Sequence, residues 1–118
     1  MILLSDAELN VMDLLWKNGN LNARQISIML RSKIGWNKNT TYTIIKICVE
    51  KGYIERIEPN YLCRAIVTRE EVQKKATVNL IEKLYDGSKK NLFASLLTHS
   101  NFTKEEIEDL KKILKDLE

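Results

Sequence analysis

The stretch of residues 37–51 constrains the fold most, because it predicts a helix with two chemically different faces. Ile44, Ile45 and Cys48 recur three and four positions apart, so they share one apolar stripe. The opposite stripe carries amide, phenol, hydroxyl and ammonium groups and no acid; its members are Asn39, Tyr42, Thr43 and Lys46.

Both ends of this helix carry the expected signals. Asn37 is a suitable N-cap, because its side-chain oxygen can accept a backbone N–H of the first turn. Gly52 follows the last turn, where glycine tolerates the left-handed conformation. A helix that buries one side and offers hydrogen-bond donors on the other fits a DNA major groove. An ordinary amphipathic helix with a solvated face remains the alternative on this stretch alone.

Two further helices are predicted before it. Ser5 with Glu8 forms a capping box, and apolar residues follow at helical spacing. Asn22, with Gln25 three positions later, caps a second helix that closes at residues 33–35. Trp36 is interpreted as a core plug or hydrophobic staple and not as a ligand group.

A β-hairpin is predicted directly after the third helix. Residues 53–57 and 61–67 are rich in β-formers, and residues 58–60 form a turn around Pro59. Three helices followed by a hairpin is the order of a winged helix-turn-helix, whose third helix enters the major groove. Arg56, Asn60 and Arg64 of the wing either reach phosphates or are simply solvated.

Residues 68–118 form a second predicted region, which begins at the capping box of Thr68 and Glu71. Its three short helices have apolar stripes too wide to bury by themselves, and a second copy of the chain is the simplest partner. The predicted domains are therefore a winged helix over 1–67 and a helical dimerisation region over 68–118. The predicted dimerisation residues are Leu80, Ile81, Leu84, Leu92, Phe93, Leu96, Leu97, Ile107, Leu110, Ile113, Leu114 and Leu117.

Charge is unevenly placed along the 118 residues, whose net charge is +3. Residues 1–67 hold nine Lys/Arg and six Asp/Glu, whereas residues 68–118 hold ten of each. No acid lies between Asp13 and Glu50, and the basic residues in that gap are Lys17, Arg24, Arg31, Lys33, Lys38 and Lys46. This local basic field favours an anionic polymer as partner; chance clustering is the alternative.

Catalytic and metal chemistry is not indicated. The cysteines, Cys48 and Cys63, are too few for a zinc site or a disulfide framework, and the single histidine, His99, lies in a polar helix end. No phosphate-binding glycine loop and no Ser/His/Asp set can be assembled. We therefore expect no enzyme activity, no cofactor and no metal. The chain shows no signal peptide and no long apolar run, so we expect a cytoplasmic protein without membrane insertion.

Several short motifs together resemble those of the penicillinase-repressor family (BlaI/MecI/CopY-type transcriptional regulators). The motifs lie at Ser5–Glu8, Val11–Met12, Leu15–Trp16, Trp36, Thr40 with Thr43, Lys51–Ile54, Tyr61–Leu62, Leu84–Gly87, Glu105–Ile107 and Leu110. The resemblance implies a homodimeric repressor that binds palindromic operators before β-lactamase or related resistance genes. It also implies that the repressor is inactivated by proteolysis in its C-terminal region, after a membrane sensor detects the antibiotic.

The resemblance assigns Thr40 and Thr43 to the recognition helix. Lys38–Asn39 replaces the usual Pro-Lys, so the base-reading set is expected to differ. Ile47 stands where an arginine is common, so a salt bridge of the family is expected to be absent. The cleaved Asn-Phe bond of the family would fall near Ser95–Leu96, which does not match; an Asn101–Phe102 pair occurs before the last helix. The lack of cysteine after Cys63 argues against the copper-sensing branch.

The leading hypothesis is a dimeric repressor that binds double-stranded DNA. The predicted contact residues are Arg24, Lys38, Asn39, Thr40, Tyr42, Thr43, Lys46, Arg56, Asn60 and Arg64. A winged-helix adaptor that binds protein and no DNA is the main rival, and the acid-free stretch between Asp13 and Glu50 argues against it. A regulator that senses a small molecule ranks last, since residues 68–118 show no polar ligand cluster.

Overall fold

The computed structural model describes residues 3–118, which fold into six helices and a three-stranded sheet. In chain order the elements are α1 (Asp6–Asn18), β1 (Leu21–Asn22), α2 (Ala23–Ile34), α3 (Lys38–Glu50), β2 (Ile54–Ile57), β3 (Leu62–Ala65), α4 (Arg69–Leu84), α5 (Lys89–His99) and α6 (Lys104–Asp116). The predicted class, mainly helical with a winged helix-turn-helix and three C-terminal helices, is confirmed.

The predicted helix starts are confirmed at atomic detail. Full capping boxes, in which side chain and backbone exchange hydrogen bonds, begin α1 at Ser5, α2 at Asn22 and α6 at Thr103. Asn37 caps α3 by accepting the backbone N–H of Thr40 at 2.8 Å. These short-range bonds satisfy N–H groups that have no partner inside their own helix.

The end of α3 is set by a glycine. Gly52 adopts a φ of +80°, which a side chain with a Cβ would disfavour. Its N–H donates to the carbonyl of Val49, and the N–H of Tyr53 donates to that of Cys48. This pair of bonds is a Schellman motif, and it turns the chain from the helix into the wing.

The sheet has the strand order β1-β3-β2, and both pairings are antiparallel. β2 and β3 form the predicted hairpin, but both are shorter than the sequence suggests. Tyr53 lies outside β2 because its N–H donates to the carbonyl of Cys48 at the end of α3. Leu21 pairs with Cys63 and adds a third strand to the hairpin.

The core of the winged helix joins α1, α2, α3 and the hairpin. Val11, Met12, Ile26, Ile45 and Cys63 are completely buried there. Burial of such side chains supplies most of the driving force for folding a unit of this size. The core fixes the face that α3 presents to solvent.

The start of α4 is attached to α1 by side-chain contacts. The indole N–H of Trp16 donates to the carbonyl of Val67 at 2.9 Å. Arg69 donates to Asp13 at 2.7 Å and lies 5.5 Å from the centre of the Trp16 ring. The junction near Thr68 is therefore a packed contact and not a loose linker.

The chain divides into two compact units between Thr77 and Val78, within the continuous helix α4. In the second unit α5 and α6 contain no buried residue, and the Tyr85 hydroxyl lies 3.1 Å from that of Ser95. Over residues 3–118, no helix has both the length and the apolar content that crossing a membrane requires.

Candidate nucleic-acid interface

The two faces of α3 have the predicted polarity. Asn39, Thr43 and Lys46 are exposed along one side, whereas Ile45 and Cys48 are completely buried on the other. Lys38 and Thr40 are also exposed, in the first turn. Thr41, which the sequence analysis did not single out, is fully buried, and its hydroxyl donates to the carbonyl of Asn37 at 3.3 Å. The core thus holds α3 with a polar, acid-free surface outward over residues 38–46.

The Thr43 hydroxyl is already engaged within its own helix, because it donates to the carbonyl of Asn39 at 2.8 Å. A hydroxyl that uses its proton this way keeps acceptor lone pairs free. Thr43 in this rotamer would accept a hydrogen bond from a base amino group, not donate one. Asn39, with donors and an acceptor on one amide, has the bidentate capacity that suits adenine.

Tyr42 connects α3 to the wing through a row of rings and cations. Its half-buried ring meets that of Tyr61 edge-on, with centres 6.0 Å apart and planes at 86°. The Lys38 ammonium lies 5.5 Å from the centre of the Tyr42 ring, and the Arg56 guanidinium lies 3.6 Å from that of Tyr61. Cations favour the faces of such rings, so these contacts hold the wing beside α3.

Two surface concavities lie on either side of Tyr42. One, between α2 and α3, is lined by Arg24, Ser27, Ile28, Arg31, Lys38 and Tyr42. The other, between α3 and the wing, is lined by Tyr42, Lys46, Val49, Glu50, Arg56 and Tyr61. Each therefore brings predicted DNA contacts from two elements onto one continuous surface.

The cations of this surface differ in their partners. Among residues 3–118, Arg24, Arg31, Lys38 and Lys46 form no ion pair. Exposed cations without a partner are available to phosphates at little cost in broken contacts. The wing arginines, in contrast, both have acid partners.

Arg64 and Asn60 are not brought into either concavity. Arg64 lies directly opposite Glu55 in the β2–β3 ladder, and it donates to that carboxylate at 2.8 Å. Side chains alternate between sheet faces, so Arg64 lies on the opposite face from Arg56. Asn60 is exposed at the tip of the wing. Their roles as DNA contacts stay predictions.

Tyr61 belongs to the site, although the sequence analysis placed it only as a strand residue. Its backbone φ of 50° is rare for a side chain with a Cβ, and it precedes β3. Burial raises the pKa of its hydroxyl, with Arg56 opposing that shift, so the hydroxyl stays protonated near neutral pH. An aromatic residue beside the wing turn, following an arginine five positions earlier, is the signal that could have indicated it.

Comparison with known proteins gives a consistent result. Residues 4–116 match the family described as penicillinase repressor. The chain is 27% identical over 113 residues to the methicillin resistance regulatory protein MecI of Staphylococcus aureus (strain N315), covering 94% of this chain and 92% of that protein. It is 25% identical over 116 residues to a penicillinase repressor of Staphylococcus aureus, covering 97% and 92%. It is also 22% identical over 115 residues to a penicillinase repressor of Bacillus licheniformis, covering 96% and 90%.

Proposed function

This chain belongs to the penicillinase repressor family, and on that premise we propose that it is a dimeric, DNA-binding transcriptional repressor of antibiotic-resistance genes. Its site of action would be an operator in the cytoplasm, where bound protein blocks transcription. The similarity to a methicillin resistance regulator and to two penicillinase repressors, each over more than nine-tenths of this chain, supports this assignment. We propose no catalytic role and no cofactor.

The exposed surface of α3 carries the proposal. Its residues 38–46 offer amide, hydroxyl and ammonium groups without an acid, and its Lys38 and Lys46 lack ion pairs within residues 3–118. Asn39, Thr40 and Thr43 would read base edges, while Arg24, Lys38 and Lys46 would hold phosphates. Tyr42 would contact a sugar or a thymine methyl group.

The exposed apolar side chains of the C-terminal helices support a homodimer. Leu84 is 71% exposed, Leu97 60%, Leu114 60% and Leu117 79%. Large apolar side chains left exposed in such number favour an interaction site. Of the predicted dimerisation residues, Ile81 is already buried within one chain. A two-fold dimer would present two copies of α3 to a palindromic operator.

We propose that repression is relieved through a membrane sensor and proteolysis in the C-terminal region. Asn101 is exposed, Phe102 is half-buried, and both lie between α5 and α6 in backbone that is not helical. A protease needs such backbone, because a helical segment must first unfold. The helical Ser95–Leu96 bond is the less accessible choice.

Gel-shift titration against sheared genomic DNA tests the central proposal. The experiment compares low and moderate salt, and the retained fragments are then mapped by footprinting. A repressor should select a few fragments whose protected sites contain two related half-sites, with affinity that falls steeply as salt rises. Uniform, weak retention of all fragments, or none at low salt, would reject DNA reading in favour of a protein adaptor.

A further inference from the structure

The wing differs from α2 and α3 in that its charges cancel. Arg56 pairs with Glu58, and Arg64 pairs with Glu55. The wing therefore carries two cations and two anions, whereas the cations that line the α2–α3 concavity have no such partner within residues 3–118. A wing built only to attract phosphates would gain nothing from these two acids.

The two pairs lie on opposite faces of the hairpin. Arg56 is opposite Cys63 in the ladder, and Cys63 is completely buried, so their shared face is the one that turns toward the core and α3. Glu55 and Arg64 occupy the outer face. Only the Arg56–Glu58 pair thus adjoins the concavity that also contains Tyr42 and Lys46.

Arg56 has a second support that does not depend on Glu58. Its guanidinium stacks on the Tyr61 ring at 3.6 Å, and that ring is braced by Tyr42. Removal of the Glu58 charge would therefore leave Arg56 at the edge of the concavity, with its N–H donors directed at solvent or at an incoming phosphate. Glu58 itself is 56% exposed, so its substitution should not disturb the core.

We propose that Glu58 is a positioning residue that holds Arg56 away from DNA phosphates and so restrains sequence-independent binding. The inference rests on the proposed function, because it concerns how strongly the same surface binds DNA. An exposed ion pair is weak, so Glu58 competes with DNA phosphates for Arg56 and reduces their contact with it without abolishing that contact. While Arg56 stays with Glu58, it neutralises no phosphate and releases no counterion.

The test measures binding of the full chain to a fluorescent duplex of random sequence across a range of salt concentrations. Glu58→Gln removes the anion and keeps the shape of the side chain. We expect this variant to bind roughly three- to tenfold more tightly at low salt and to steepen the slope of log K against log salt by about 0.9. A merely structural role would not change the salt slope.

Glu108→Gln is the matched control, because it also removes one negative charge and breaks an exposed ion pair, that with Lys111 in α6. It should change affinity less than twofold, as expected for a small shift in net charge. In an Arg56→Gln background, Glu58→Gln should lose its effect. Thermal melts of Glu58→Gln and Glu108→Gln should coincide with that of the unsubstituted chain, and Glu58→Ala provides a second variant if Glu58→Gln melts early.

Equal effects of Glu58→Gln and Glu108→Gln would overturn the inference, as would a full Glu58→Gln effect without Arg56. Those outcomes leave the proposed function intact as long as the unsubstituted chain binds DNA. Failure of the unsubstituted chain to bind any duplex at low salt would instead reject both. The two failures are therefore distinguishable in one set of titrations.

Discussion

Glu8 and Lys51 join the first turn of α1 to the residue that ends α3. Glu8 is 2% exposed, and its Oε2 lies 2.9 Å from the Lys51 ammonium. The other oxygen, Oε1, accepts the backbone N–H of Ser5 at 2.8 Å. Within residues 3–118, Oε2 has no hydrogen-bond partner, so the Lys51 ammonium is its charge partner only. The Glu8 carboxylate thus takes part in the N-cap of α1 and forms an ion pair with Lys51, which caps the C-terminus of α3.

Replacement of Lys51 by methionine should weaken the dependence of the protein's stability on the protonation of Glu8. Burial raises the pKa of Glu8, but the hydrogen bonds from Ser5 and the nearby Lys51 ammonium outweigh that effect and hold the pKa below the ordinary 4.5. Glu8 therefore stabilises the native protein above that pH, and the contribution is lost as pH falls through its folded pKa. Without Lys51, the folded pKa of Glu8 rises, so Glu8 contributes less stability above that pKa and less is lost on acidification.

Urea unfolding at about pH 7 and about pH 4 measures this difference. The gap in unfolding free energy between the unsubstituted chain and Lys51→Met should narrow at the lower pH. Glu8→Gln keeps the capping bond and removes the charge, so we expect it to cost about 1–3 kcal/mol at neutral pH and to flatten the pH response. A gap that stays constant with pH would show that the pair is not coupled to protonation of Glu8.

The thiols of Cys48 and Cys63 should be unreactive in the native protein. Burial raises the pKa of Cys48 to about 12 and that of Cys63 to about 11. Because the thiolate is the reactive form, labelling with a disulfide reagent at mildly alkaline pH should proceed only through unfolding. Labelling should therefore be slow in buffer, accelerate with urea, and reach two thiols per chain in denaturant. Rapid labelling of the folded protein would contradict the described core.

Thr43→Ala and Lys46→Ala should weaken DNA binding in different ways. Thr43→Ala removes a proposed base contact, so we expect a loss of about 1–3 kcal/mol on the selected site and little change on random DNA. Lys46→Ala removes a proposed phosphate contact, so it should weaken binding to both DNAs alike and reduce the salt slope by about 1. Fluorescence titrations on the two duplexes distinguish these patterns. Equal losses on both DNAs for Thr43→Ala would remove its base-reading role.

A charged side chain on the C-terminal apolar surface should produce monomers. Leu97 is 60% exposed, so Leu97→Glu should spare the fold of one chain while a buried dimer contact would exclude its charge. Sedimentation velocity should then show a loss of the dimer, with DNA affinity falling in parallel. Glu105→Gln, an exposed change in the first turn of α6, is the control. A sedimentation coefficient that does not change would argue against this surface as the interface.

Local signals made much of the fold predictable. Asn37 and Gly52 delimit α3 through bonds to neighbours within a few residues, and both positions are confirmed. The contacts that the sequence did not reveal are long-range. The Trp16 indole N–H donates to the carbonyl of Val67, 51 positions along the chain, and Leu21 pairs with Cys63, which is equally remote from local sequence signals.

The same limit applies to the candidate interface. The polar stripe of α3 follows from helical periodicity, whereas the stacking of Arg56 on Tyr61 depends on the backbone path of the wing turn. Thr41 was not assigned because a hydroxyl is compatible with either face of a helix. Its burial is tolerated because the Thr41 hydroxyl donates a hydrogen bond to the Asn37 carbonyl.

Amide chemical-shift mapping tests most directly whether the exposed face of α3 receives a duplex. The full chain, labelled with ¹⁵N, is titrated with the selected operator fragment. The account predicts that the largest shifts fall at residues 38–46 and at the wing around Tyr61, with α6 little affected. Shifts confined to the C-terminal helices, or none on addition of saturating DNA, would contradict it.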